Sequence, residues 1–182
     1  VERPVVAISG SAPPNTPPDA HRQLIALIRQ HRGWVAVDVT GERLLDAARA
    51  GADLVKPNLS EAEHALALAA GQQRPLSEAV HAAADPDEIR ERAVDAARRL
   101  VELGARRAAV SAGAVGVAHA DPTASGFVVA PTVAVVNPVG AGDALVGATL
   151  VAIARGASFV TALTDGVAYA AAAVAHPVAG YA

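Results

Sequence analysis

Along this chain the apolar residues fall into short continuous runs that suit buried strands, separated by longer stretches in which they return every three or four positions. Residues 4–9, with Val5-Val6-Ala7-Ile8, predict a strand closed by Gly10-Ser11 and by the prolines Pro13-Pro14 and Pro17-Pro18. From Asp19, the spacing of Leu24, Ile25, Leu27 and Ile28 predicts a helix that Gly33 stops. Trp34 to Asp38 reads as a second strand ending on a carboxylate. Residues 42–50 read as a short helix stopped by Gly51, and Asp53 to Lys56 as a third strand broken by Pro57. Ser60 with Glu63 three residues later has the spacing of a capping box, which predicts a helix to about residue 70.

Residues 71–87 show little periodicity and predict a surface loop. Asp87 to Leu103 is the clearest amphipathic helix, with Ile89, Ala93, Ala96, Ala97 and Leu100 on one side and Gly104 as its stop. Ala108 to Ser111, Val117 to His119, Phe127 to Val129 and Val133 to Val136 predict four further short strands, and two helices near 142–155 and 158–174 close the chain. Strands alternating with helices imply a single α/β domain over residues 1–182. Its sheet would be mostly parallel and covered on both faces, with ligands at the carboxyl ends of the strands.

Composition changes this picture in three ways. The 52% hydrophobic fraction is inflated by 46 alanines, and aromatics make up only 3%, so the core must be built from Val, Leu, Ile and Ala. A net charge of -3 without a basic run argues against nucleic acid or an anionic membrane as partner. With no cysteine, no long apolar span and no signal-like start, the expectation is a cytoplasmic protein without disulfides or thiolate metal sites. The chain contains 14 arginines but one lysine, Lys56, and no methionine. Starting at Val1 directly before a strand, it reads as a segment of something longer, or else as a short protein with a valine start codon translated literally.

Five polar or glycine-rich stretches fall at predicted strand ends. Gly140 and Gly142 bare the backbone ahead of an apolar helix, where N–H groups and the helix dipole favour an anion, and Asp143 would sit on the first turn, within reach of an attacking hydroxyl. An ordinary turn with Asp143 as helix cap fits the same spacing. Lys56 could hold a phosphate, with Asn58 and Glu61 acting through water on Mg²⁺, or it could be a solvated strand end followed by a helix-start acid. Ser111, Gly113 and Gly116 could bring bare backbone beside a nucleotide, or form a plain tight turn. Gly10-Ser11 and Asp38 to Gly41 complete the set. The turn before Asp143 is neither a P-loop nor a dinucleotide fingerprint. The six histidines lack paired metal spacing, and Ser9 and Ser11 lack a nucleophile elbow.

Taken in order, Ser9-Gly10-Ser11, Asp38-Val39-Thr40-Gly41, Asp53 to Asn58 with Glu61, Ser111 to Gly116 and Val139 to Asp143 resemble the motifs of the phosphofructokinase-B group of ribokinase-like sugar kinases, most closely its 1-phosphofructokinase branch. The closing stretch Val167 to Val174 is also similar to that family's last helix. The resemblance implies a three-layer α/β/α fold whose N-terminal strands and β lid are missing here. It implies ATP-dependent transfer to a hydroxyl of a sugar phosphate, fructose 1-phosphate first, with tagatose 6-phosphate, fructose 6-phosphate or a non-catalytic nucleotide-binding paralogue as alternatives. By the same resemblance Asp143 is the catalytic base, and Gly140, Ala141 and Gly142 form the anion hole. Lys56 contacts phosphate, Asn58 and Glu61 organise Mg²⁺ and nucleotide, and Ser111, Gly113 and Gly116 line the ATP pocket. A homodimer through the lid is implied for the full-length form. Asn15-Thr16, Ala112, Val115 and Ala170 depart from the family pattern, Ala170 where it would crowd the adenine. A sheet lacking its front strands would expose an unpaired apolar edge and be poorly soluble.

Overall fold

The computed structural model describes residues 3–72 and 85–178. The predicted loop over 71–87 therefore lies mostly outside the described residues. Six strands form one sheet in the order β1 (Val5–Ser9), β2 (Trp34–Asp38), β3 (Leu54–Val55), β4 (Ala108–Ser111), β5 (Gly116–Ala120) and β6 (Ser125–Val129). The first four run parallel, and β5 and β6 fold back as antiparallel neighbours. Between the parallel strands lie α1 (Ala20–Gln30), α2 (Gly41–Arg49), α3 (Leu59–Ala69) and α4 (Pro86–Glu102). After β6 come α5 (Ala141–Ala154) and α6 (Phe159–Val174).

Sequential strand order decides where the helices go. Each crossover steps in the same direction along the sheet, so crossovers of one hand put their helices on one face. Leu44, Leu45, Leu59, Leu66, Ala93 and Leu100 accordingly form one core with Val35, Val37, Val55 and Val110. The opposite face is left for α5 and α6, whose Leu145, Val146, Leu150, Leu163 and Val167 pack on Trp34, Ala36, Leu54, Ala109 and Val117. The period-2 pleat divides β2 between the cores, and being buried on both sides it reads as a continuous apolar run.

Two local expectations are corrected. Val133 to Val136 form no strand. The N–H groups of Val136 and Asn137 both donate to the Val174 carbonyl at the end of α6, and Val135 and Val136 stay exposed, so this β-prone sequence lacks the pleated, half-buried surface a strand requires. The capping box at the start of α3 is Asn58 with Glu61, not Ser60 with Glu63. Glu63 is instead held by Arg92 of α4 through two bonds of 2.8 and 2.9 Å. Where relatives were expected to carry a glycine turn, Asn15 takes φ 65° itself, a conformation asparagine tolerates better than most residues.

The two C-terminal helices touch closely through Gly166. A Cβ there would overlap Thr149 Oγ1 and come within 2.7 Å of the Leu145 carbonyl oxygen. Thr149 Oγ1 is itself fully buried with no hydrogen-bond partner. Gly166→Ala should therefore lower unfolding stability by about 1–3 kcal/mol through overpacking. Thr149→Val keeps the shape and removes an unsatisfied hydroxyl, so it should leave the urea midpoint unchanged or raise it. Equal midpoints for Gly166→Ala and wild type would show that the helices can part without loss.

Candidate active site

The carboxyl ends of β1, β2 and β3 meet the amino end of α5. Lys56 follows β3 and is only 5% exposed. A buried ammonium requires a counter-charge. It finds one in Asp38, the last residue of β2, with Nζ to Oδ2 at 3.1 Å. Burial pushes the Asp38 carboxyl above its ordinary range. Lys56 pulls it back by charge and by hydrogen bonding, and the nearby Asp143 charge adds a smaller upward push.

The first turn of α5 sits directly over this pair. A Cβ on Gly142 would lie 3.5 Å from Lys56 Nζ and 4.0 Å from Asp38 Oδ2. The helix opens at Gly140 in the left-handed region, φ 86°, and no side chain caps it. A residue with a side chain would be strained there. Its first-turn N–H groups are thus without a side-chain acceptor, and they carry the positive end of the helix dipole. Asp143 lies three residues past this cap, so it is a first-turn residue and not the cap that its spacing equally allowed. Ser9 Oγ, at the end of β1, donates to Asp143 Oδ1 at 3.2 Å.

The remaining candidates extend along the same edge of the sheet. Asn58 Oδ1 accepts from the Glu61 N–H and Glu61 Oε2 from the Asn58 N–H, each at 2.8 Å, so both side chains are engaged in starting α3. Asn58 bridges Ser111 across the β3–β4 ends, and the Ser111 N–H donates to Pro57 O at 3.0 Å. Gly113 and Gly116 belong to the β4–β5 turn with φ 56° and 139°, and a Cβ on Gly116 would strike the Val128 carbonyl. This turn lies beyond β3 from the Asp143 end, so the candidates form an elongated row and not a single cluster.

Sequence reasoning included Ser9 and Asp38 in family-like motifs at strand ends but gave neither a role. The signal for Asp38 was present, since it ends a strand beside the one that ends at the only lysine. Ser9 is marked only by its motif, and nothing local points to its contact with Asp143. Among the described residues no group of three His, Cys, Asp or Glu could hold a metal ion alone. The oxygen donors Asp38, Asp143, Glu61 and Asn58 nonetheless suit Mg²⁺ of the kind that keeps waters and shares a substrate's phosphates. The first-turn N–H groups beside Lys56 suit the phosphates themselves, with that of Ala141 also directed at the Pro138 carbonyl at 3.4 Å.

Comparison with known proteins gives the relatives of this chain. The model of the pfkB family of carbohydrate kinases matches residues 2–182. The ATP-dependent 6-phosphofructokinase isozyme 2 of Escherichia coli is 35% identical over 171 residues, 93% of this chain and 50% of the relative. The 1-phosphofructokinase of Bacillus subtilis is 29% identical over 154 residues, 85% of this chain and 45% of the relative. The chain thus spans about half the length of the curated relatives it matches. The crystal structure of phosphofructokinase-2 from Escherichia coli in complex with potassium superposes with TM-score 0.76 at 32% identity, covering 94% of this chain and 51% of that one. Ribokinase from Thermotoga maritima, 20% identical with TM-score 0.71 over 97% of this chain and 52% of its own, shares the three-layer fold.

The Asp38–Lys56 pair generates a stability prediction. Lys56→Met leaves a largely buried carboxylate without its cation and should cost on the order of 3 kcal/mol at pH 7. Asp38 already has a folded pKa above its unfolded one, and losing Lys56 raises it further. The folded state then binds the proton more tightly, and its stability falls as pH rises through that pKa. The Lys56→Met deficit should therefore shrink as pH is lowered from 7 toward the ordinary carboxylate range. A deficit in urea denaturation that stays constant or grows on acidification would show that Asp38 is not the group left unpaired.

Proposed function

The chain belongs to the pfkB family of carbohydrate kinases, and from that premise we propose that it carries the nucleotide-binding and catalytic portion of an ATP-dependent kinase acting on a hydroxyl of a sugar phosphate. The observation that supports this most is the uncapped first turn of α5 standing over Lys56, with the Asp143 carboxylate on the same turn. When bound, ATP with Mg²⁺ supplies the phosphoryl group and neutralises much of its charge.

This chain's residues then do the positioning. Ser9 engages Asp143 Oδ1, which orients the carboxylate and leaves Oδ2 to accept the proton of the attacking hydroxyl. The backbone of Gly140, Ala141 and Gly142 presents N–H groups where negative charge gathers on the transferring group. Asp38 holds the Lys56 ammonium in place, so its charge is pre-set beside the same helix end. Asn58 and Glu61, fixed at the start of α3, supply oxygen to water around Mg²⁺, while Ser111, Gly113 and Gly116 offer low-relief backbone for the rest of the nucleotide.

The acceptor is a phosphorylated ketose, with fructose 1-phosphate first. Similarity to both a 1-phosphofructokinase and a 6-phosphofructokinase makes fructose 6-phosphate the comparison substrate, with tagatose 6-phosphate behind it. Because the chain spans half of each relative, a nucleotide-binding protein without turnover is the second reading.

Two measurements separate the readings. ATP with Mg²⁺ should raise the melting temperature, since binding to the native state alone stabilises it. An unchanged melting temperature at millimolar ATP would remove both readings. In a coupled ADP-release assay with fructose 1-phosphate and fructose 6-phosphate, Asp143→Asn should lower turnover by about 10²–10⁴-fold. Equal turnover in the variant would exclude Asp143 as base, and stabilisation by ATP without any turnover would favour the second reading.

A further inference from the structure

At the opposite end of the sheet, a solvent-open cleft of about 590 Å³ is lined by Arg3, Arg29, Arg32, Arg106, His31 and Asp53, among others. It lies at the amino ends of β1, β2 and β3, a strand length from the candidate active site. Four arginines and one aspartate contribute to its lining, a local excess of positive charge in a chain whose net charge is -3.

Fold maintenance accounts for only part of this charge. Arg29 donates to the Ala50 carbonyl at 3.2 Å and to the Gly51 carbonyl, closing the end of α2. Asp53, 3% exposed, accepts the Val35 N–H at 3.1 Å and pairs with Arg106 at 3.4 Å, pinning β2 to β3. Arg3 and Arg32 have no acidic partner among the described residues. Arg3 Nε donates to the Arg32 carbonyl at 2.7 Å, which holds the two residues together. Arg32 also adopts φ 56°. That conformation costs a residue with a Cβ roughly 1–2 kcal/mol and is easier for glycine or asparagine. That backbone closes α1 as a helix C-cap, the Gly33 N–H donating to the Ile28 carbonyl and the Arg32 N–H to the Arg29 carbonyl, each at 2.8 Å, while the Arg32 side chain has no acidic partner among the described residues.

We propose that this cleft binds a small anion carrying two phosphate groups. Each guanidinium has five N–H donors in a planar fork, so those already bonded to carbonyls or to Asp53 retain donors for phosphate oxygens. Arg3 before β1, Arg29 and Arg32 at the end of α1, and Arg106 before β4 reach the cleft from three segments, a spread that suits a diphosphate better than a single phosphate. The ligand contacts the amino ends of the same strands whose carboxyl ends carry Ser9, Asp38 and Lys56. The site does not depend on the kinase reading.

Inorganic pyrophosphate, titrated into the ¹⁵N-labelled protein and followed by amide NMR, tests the proposal. Saturable shifts are expected at Arg32, Gly33, Gly51 and Asp53. Arg3→Ala with Arg32→Gly, which removes two guanidiniums and relieves the left-handed strain at 32, should weaken that binding about tenfold or more. Shifts confined to Gly140 through Asp143, no saturable shifts, or wild-type affinity in the double variant would each overturn it.

Discussion

An ammonium held away from water is tolerable only beside a fixed negative charge, and much of this molecule's carboxyl edge follows from meeting that requirement at Lys56. Asp38 meets it from the neighbouring strand, so the pair closes the ends of β2 and β3 together. The first turn of α5 stands over the pair at Gly142, where an added Cβ would meet Lys56 Nζ and Asp38 Oδ2 at ordinary contact distances. What results is a cation, two carboxylates and an uncapped helix amino end gathered at one place. Burial keeps the Asp38 carboxyl above its ordinary range even with Lys56 beside it. A buried pair of this kind adds little net stability, although removing one partner is costly.

Topology makes this gathering possible. Successive parallel strands placed side by side bring their carboxyl ends into line, and their crossover helices occupy one face. The other face stays open for α5 and α6, which return from β6 at one end of the sheet to β1 and β2 at the other. The long return through residues 130–140 is what carries Gly140 to the site, and its valines are spent on that crossing and not on a further strand. Charge is divided the same way. Carboxylates meet Lys56 at the carboxyl ends, while arginines crowd the amino ends around Asp53.

Much of this was legible in the residues. The strands at Val5, Trp34 and Ala108 and the helix from Pro86 follow from apolar runs and periodicity bounded by proline and glycine, because those patterns act within one element. The family resemblance also rested on local stretches, and it held over the whole chain. The misread elements are those whose partners lie elsewhere. Ser60 and Glu63 have the spacing of a capping box as good as that of Asn58 and Glu61, but Arg92, 29 residues on, takes the Glu63 carboxylate. Val133 to Val136 have strand composition without a strand neighbour.

By itself the sequence determined the alternation of strands and helices, the bare glycine turn before α5 and the single lysine at a strand end. These depend on backbone freedom, side-chain volume and spacing along a few residues. Only the tertiary structure decided that Asp38 neutralises that lysine, that Gly142 rests against both, that Ser9 reaches Asp143 across 134 positions, and that arginines from three segments share one cleft. The reason is physical. A local pattern fixes which way a residue faces on its own element, while a charge's partner is chosen by which elements the packed sheet brings within a few ångströms.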